Sequence, residues 1–171
     1  LVLCHTASDS EWFKASRNPN HPNHEEYKDF YVWHKGNTDH EGNATPPNNW
    51  KSCFDNKSAW KWDDAREEFY LRHFGIEQPA LNLNIAKVQD ARLAEMKYWL
   101  DEGVNGFRVD ALPFANYDPE FRDNPWLNDS DAPDDERKWN EQFFEHSICQ
   151  PQTIEFVARM RELCDSHPNQ G

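Results

Sequence analysis

Arg108 and Asp110 stand two residues apart near the end of the apolar run GVNGFRVDALPF, residues 103–114. In a strand, residues i and i+2 leave the same face, so this spacing presents a guanidinium and a carboxyl side by side. Charge is costly to bury unless it is paired or used. An arginine beside an aspartate favours the carboxylate form, which suits a nucleophile or a stabiliser of positive charge. It does not suit a proton donor, which needs a raised pKa. At the carboxyl end of a parallel strand such a group would face the ligand-binding side of an α/β fold. On spacing alone, a plain ion pair tying the strand to a neighbour is an equally good reading.

The elements that must position the pair can be read from spacing. Asn84 is expected to cap a helix running to about Asp101, with Ile85, Val88, Leu93, Met96, Trp99 and Leu100 on one stripe and Gly103 as its stop. Arg92 falls on the same apolar stripe, against the pattern. A buried strand, 106–110, follows closely, and helix, short loop and strand in that order suggest an α/β unit with a parallel sheet. Residues 1–5 read as a short buried strand or the end of one. Residues 6–56 are rich in Asn, Pro, His and Gly and read as irregular and turn-rich. Residues 58–74 alternate apolar and polar residues about a charged centre. They predict a β-hairpin with strands near Ala59–Trp62 and Glu68–His73. Residues 111–149 form a long acidic loop, and Pro151 opens a last helix to about Asp165. Its apolar residues fall on two sides (Ile154, Val157 and Ala158 against Phe156, Met160 and Leu163), as in a helix contacted twice.

Composition narrows the function classes. The 171 residues carry a formal net charge of −13, which would repel nucleic acid and leaves an uncharged, hydroxyl-rich substrate acceptable. Eight tryptophans suit a core and also suit stacking on sugar rings. Cys4, Cys53, Cys149 and Cys164 form no CxxC pair and read as isolated buried thiols, which points to a reducing, cytoplasmic compartment. The glycosylation triplets at Asn43, Asn56 and Asn128 read as chance, and no apolar run has the length of a membrane span. His21 and His24 lack a clear third ligand, so no metal site is expected, and the loop carboxylates Asp118, Glu120, Asp123 and Asp129 read as a solvated surface.

Four stretches give these features a family. HTASDSEWF (5–13), PPNNWKSCF (46–54), EQPALNLN (77–84) and GVNGFRVDA (103–111) resemble, in order and spacing, the α-amylase family, glycoside hydrolase family 13. The resemblance is greatest to its α-glucosidase and oligo-1,6-glucosidase branch, and it runs essentially from end to end of the chain. It implies a partial (β/α)8 TIM barrel. Residues 1–5 would end its third strand, residues 6–80 would be an inserted small domain, and residues 81–171 would be a barrel segment carrying the fourth strand. By the same resemblance Asp110 would be the catalytic nucleophile, Arg108 the arginine that holds it, and His5 a sugar ligand beside the cleaved bond. Gln78 and Leu81–Asn82 would mark the subgroup, although Ala80 stands where that signature has an aspartate. Ala111 would fit enzymes acting on α-1,4 links, and Cys4 stands where the family has an asparagine that in some members binds calcium. The family needs no cofactor, and its partners would be small α-glucoside oligosaccharides. Its proton-donating glutamate would lie beyond Gly171, so the isolated chain is expected to be an inactive excerpt. Two alternatives stay open: a transglycosylating or isomerising relative such as a trehalose or isomaltulose synthase, and a non-catalytic carbohydrate-binding piece.

Overall fold

Aromatic side chains build the first half of the chain. In the computed structural model, which describes residues 1–167, Ser10 caps helix α1 (Glu11–Arg17) by accepting the Phe13 amide at 3.2 Å. Phe13 then packs with ring centroids 5.0 Å from Tyr31, 5.6 Å from Trp33 and 5.2 Å from Tyr70. A short helix α2 (His24–Tyr27) follows, then strand β1 (Trp33–His34) and the small pair β2 (Asn37–Thr38) and β3 (Ala44–Thr45). Gly36, at φ +80°, allows this crossing, because a Cβ there would sit 2.2 Å from the Thr45 carbonyl oxygen.

The predicted hairpin is present as β4 (Trp60–Asp63) and β5 (Glu68–Leu71), with Trp60 opposite Leu71 and Trp62 opposite Phe69. β1 joins the other edge of β5, giving the order β1-β5-β4. The second strand ends at Leu71, not at the expected His73. Arg72 and His73 turn away to bond Asp55 and the Cys53 amide respectively.

Helix α3 (Ala86–Asp101) matches its expected span within a residue, but its start differs. Ile85 is the cap, and the Asn84 side chain instead donates to the Tyr117 carbonyl and accepts from Asn116. The buried stripe is Val88, Arg92, Met96 and Leu100, one residue every fourth position. Trp99 is 44% exposed, so it does not belong to that stripe. Arg92 does belong there: it donates to the Val2 carbonyl at 2.6 Å and pairs with Glu95 at 2.5 Å. Its charge is used, as burial requires.

The stretch 106–110 is not the buried strand expected. It is extended, but pairing is confined to one parallel bridge between Asp110 and Val2, supported by the Asp110 amide donating to the Leu1 carbonyl at 2.9 Å. Only one of its edges is hydrogen-bonded along this short length, so no ladder develops. Alternation survives: Phe107 and Val109 are half-buried, while Arg108 and Asp110 are exposed.

The loop 111–149 contains two short 3-10 turns, Leu112–Phe114 and Trp139–Glu141, and is tied down hard. Trp50 donates through Nε1 to the Arg122 carbonyl at 2.9 Å, and Gln142 bonds both Asn49 and Lys51. These bonds close a core of Val32, Trp50, Trp60, Leu71 and Tyr117. Asp118 is not solvated surface. It is buried and clasped by Arg122 through Nε at 2.8 Å and Nη2 at 3.1 Å.

Helix α4 (Gln152–Ser166) has Pro151 as its cap, not inside its first turn. Phe156 and Met160 enter the other core with Leu3, Leu81, Leu83, Val88 and Met96. Of the two sides expected to be contacted, that of Ile154, Val157 and Ala158 is open, with Ile154 74% exposed. The thiols also depart from expectation: all four are free, but Cys149 is exposed and Cys53 and Cys164 are only half-buried.

Candidate active site

Three of the four motifs converge on the segment 1–8. Residues 4–8 run antiparallel to 77–81, with the Leu81 amide donating to the Cys4 carbonyl at 2.9 Å and the Ser8 amide to the Glu77 carbonyl at 2.8 Å. On the other side, Val2 meets Asp110. The short segment therefore carries His5 at the tip of one neighbour and fixes Asp110 on the next. The PPNNW stretch lies apart, in the core shared by the hairpin and the long loop.

Asp110 accepts from Arg108 Nη2 at 3.1 Å and from the Ala111 amide at 3.1 Å through the same Oδ1. The predicted pair is thus formed. Both members are open to solvent, with side chains 81% (Arg108) and 52% (Asp110) exposed, so the contact adds little to stability. The second Asp110 oxygen, Oδ2, makes no hydrogen bond among the described residues. Ala111 adopts a left-handed φ of +55° and starts the 3-10 turn. A residue with a Cβ is held there only by its surroundings.

His5 is placed by contacts on both ring nitrogens. Nδ1 lies 3.3 Å from Cys4 Sγ and Nε2 lies 2.9 Å from Gln78 Nε2. Gln78 Oε1 accepts the Gly75 amide at 3.0 Å, so the Gln78 nitrogen is left to donate to His5. The imidazole is therefore neutral with its proton on Nδ1, and burial, followed by the charge of Arg92, lowers its pKa. Any further partner of the His5 ring nitrogens must replace Gln78 or Cys4. Burial pushes the Cys4 thiol to about 12, which removes it as a nucleophile.

Sequence reasoning missed the wall beside His5. Phe74 sits 5.1 Å from the His5 ring and 4.8 Å from Phe114, and His73 lies 5.0 Å from Phe114. Gln78 was read as a marker without a chemical role, yet it sets the His5 tautomer. Its partner is 73 residues away, and no local pattern reveals that. Asp118, held at a pKa of about 2 chiefly by its Arg122 hydrogen bonds, cannot serve as a proton donor. Among the described residues no group of three or more His, Cys, Asp or Glu is placed to hold a metal, and no helix is long and apolar enough to cross a membrane.

Residues 1–170 match the family described as "Alpha amylase, catalytic domain", and the chain belongs to that α-amylase family. Among curated proteins it is 40% identical over 173 residues to a probable α-glucosidase of Rhizobium meliloti, covering 98% of this chain and 30% of that one. Among solved structures it superposes on the α-glucosyl transfer enzyme XgtA with a TM-score of 0.80 and 38% identity, covering 98% of this chain and 30% of that one. It also superposes on the trehalulose synthase MutB of Pseudomonas mesoacidophila MX-45, with a TM-score of 0.73, 31% identity and coverage of 98% and 27%. The chain thus spans about 30% of the length of the relative and of XgtA.

Proposed function

We propose that this chain is the nucleophile-bearing part of a retaining α-glucosidase, built as a partial (β/α)8 barrel with residues 6–80 inserted. The observation that carries the reading is the Arg108–Asp110 pair, exposed at the end of 106–110 and set beside the segment that bears His5. Asp110 attacks the anomeric carbon of a terminal α-glucosyl unit, and the bond to the leaving oxygen breaks as a separate acid protonates that oxygen. Water then reverses the step, freeing glucose and Asp110. Retention requires the second carboxyl about 5–5.5 Å from the first. The low pKa of Asp118 argues against its filling that place, and the family resemblance assigns it to a glutamate beyond Gly171. Arg108 orients Asp110, His5 bonds the sugar, Ala111 borders the aglycone, and maltose-type oligosaccharides or sucrose are the substrates. The test is trapping of the full-length protein with a mechanism-based fluoroglucosyl inhibitor. Mass spectrometry should find the label on Asp110, and a label on another residue overturns the assignment.

A second reading keeps the same intermediate but gives it to a sugar hydroxyl instead of water. Similarity to XgtA and MutB supports it. Product analysis on maltose and on sucrose decides: new glucosides or isomerised sucrose support transfer, and free monosaccharides alone support hydrolysis.

A further inference from the structure

Away from Asp110, a cavity of about 450 Å³ opens between the segment 46–58 and the acidic loop, lined among others by Pro46, Pro47, Lys51, Asp123, Asp134 and Asp135. Lys51 is 7% exposed, yet among the described residues its ammonium has no hydrogen-bond or ion-pair partner within reach. Its backbone is fixed instead: the amide donates to Gln142 Oε1 at 3.2 Å, and the residue bridges Ser58 in antiparallel fashion. The Lys51 ammonium keeps some solvent access but has no protein partner among the described residues, so a ligand lying in the cavity can supply one. Burial lowers the Lys51 pKa, while Asp134 and Asp135 act at a distance in the opposite sense.

The surrounding charges define what that partner can be. Three carboxylates, Asp123, Asp134 and Asp135, repel an anion, and Lys51 together with Lys57 repels a metal cation. A neutral polyhydroxyl compound satisfies both, since one hydroxyl accepts from the ammonium while its neighbour donates to a carboxylate. Pro46 and Pro47 add apolar surface for the C–H face of a ring. We propose that this cavity is a second saccharide-binding site, separate from the one at Asp110, in which Lys51 and Asp134 or Asp135 bridge vicinal hydroxyls. The choice of glucoside rests on the function proposed above, whereas the existence of the site rests on the cavity alone.

Calorimetric titration of the full-length protein with maltose, in an Asp110→Asn background that blocks turnover, tests it. Two binding events per chain are expected, and Lys51→Met should remove one of them. Because Lys51 is buried, Asp135→Asn at an exposed position provides a second variant, expected to weaken the same event about tenfold. A single event in the parent protein, or two undiminished events in both variants, overturns the proposal. Activity is read separately: glycosidase function retained in Asp110→Asn with the second event intact refutes the reading of Asp110 and not this one.

Discussion

Gln78 and His5 meet nitrogen to nitrogen at 2.9 Å, with the amide donating because its own oxygen is taken by the Gly75 N–H. One glutamine thereby chooses the protonation state of a residue 73 positions away. Gln78→Glu would reverse that choice, since a carboxylate accepts only and draws a proton onto His5 Nε2. The expected outcome is a KM raised several-fold with a smaller change in kcat, and an NMR titration of His5 moved upward. An unmoved His5 titration would show that the contact has no influence.

Asp110→Asn should lower kcat by about a thousandfold or more while leaving the fold intact, because the side chain is exposed and only its reactive oxygen is lost. Arg108→Gln should lower kcat less, by about ten- to a hundredfold, since it removes one of the two hydrogen bonds to Oδ1. Steady-state kinetics of the full-length protein, with circular dichroism as the check on folding, decides both.

Ala111→Val tests a conflict between linkage preference and backbone. The family resemblance ties valine here to α-1,6 links, but a β-branched residue is poorly accommodated at φ +55°. The variant should shift activity toward isomaltose over maltose and lose about 1–2 kcal/mol of stability. Ala111→Gly should hold or gain stability without the shift. Urea unfolding and the ratio of kcat/KM on the two sugars provide the readouts.

Acid should destabilise the protein in two stages. His73 is fully enclosed, and burial, with His5 adding to it, pushes its pKa from 6.5 down to about 3. The unfolded chain therefore binds a proton that the folded one refuses. The stability from His73 is whole above pH 6.5 and is lost as pH falls toward 3, by up to about 1.4 kcal/mol per pH unit. Asp118, lowered from 3.8 to about 2, adds its loss only below pH 3.8. Melting temperatures measured from pH 8 to pH 4 should fall below pH 6.5, and His73→Phe should flatten that fall.

Arg92→Ala should cost about 1–3 kcal/mol, because it strips the Val2 carbonyl of its donor in a buried setting. Arg92→Leu should recover part of this through the apolar stripe, as measured by urea unfolding.

Elements governed by local spacing were legible in the sequence. The hairpin, the span of α3 and the shared face of Arg108 and Asp110 follow from periods of two and of three to four residues. Asn84 misled because its cap geometry lost to long-range bonds with Asn116 and Tyr117. Arg92 looked like an error in an amphipathic pattern until the Val2 carbonyl was found above it. Asp118 looked like solvated surface for a different reason: Arg122, its clasp, lies only four positions on, but in a loop that carries no periodic signal. The aromatic wall of His73, Phe74 and Phe114 joins residues whose neighbourhood only tertiary structure creates.

The junction of the first residues with Asp110 also sets an order of events. Val2 meets Asp110 in a parallel bridge across more than half of the chain, so the segment bearing Asp110 cannot dock until a very large loop has closed. Hairpin and helices, whose contacts are local, can form well before it. Refolding monitored by backbone signal should therefore run ahead of the docking of the segment that bears Asp110.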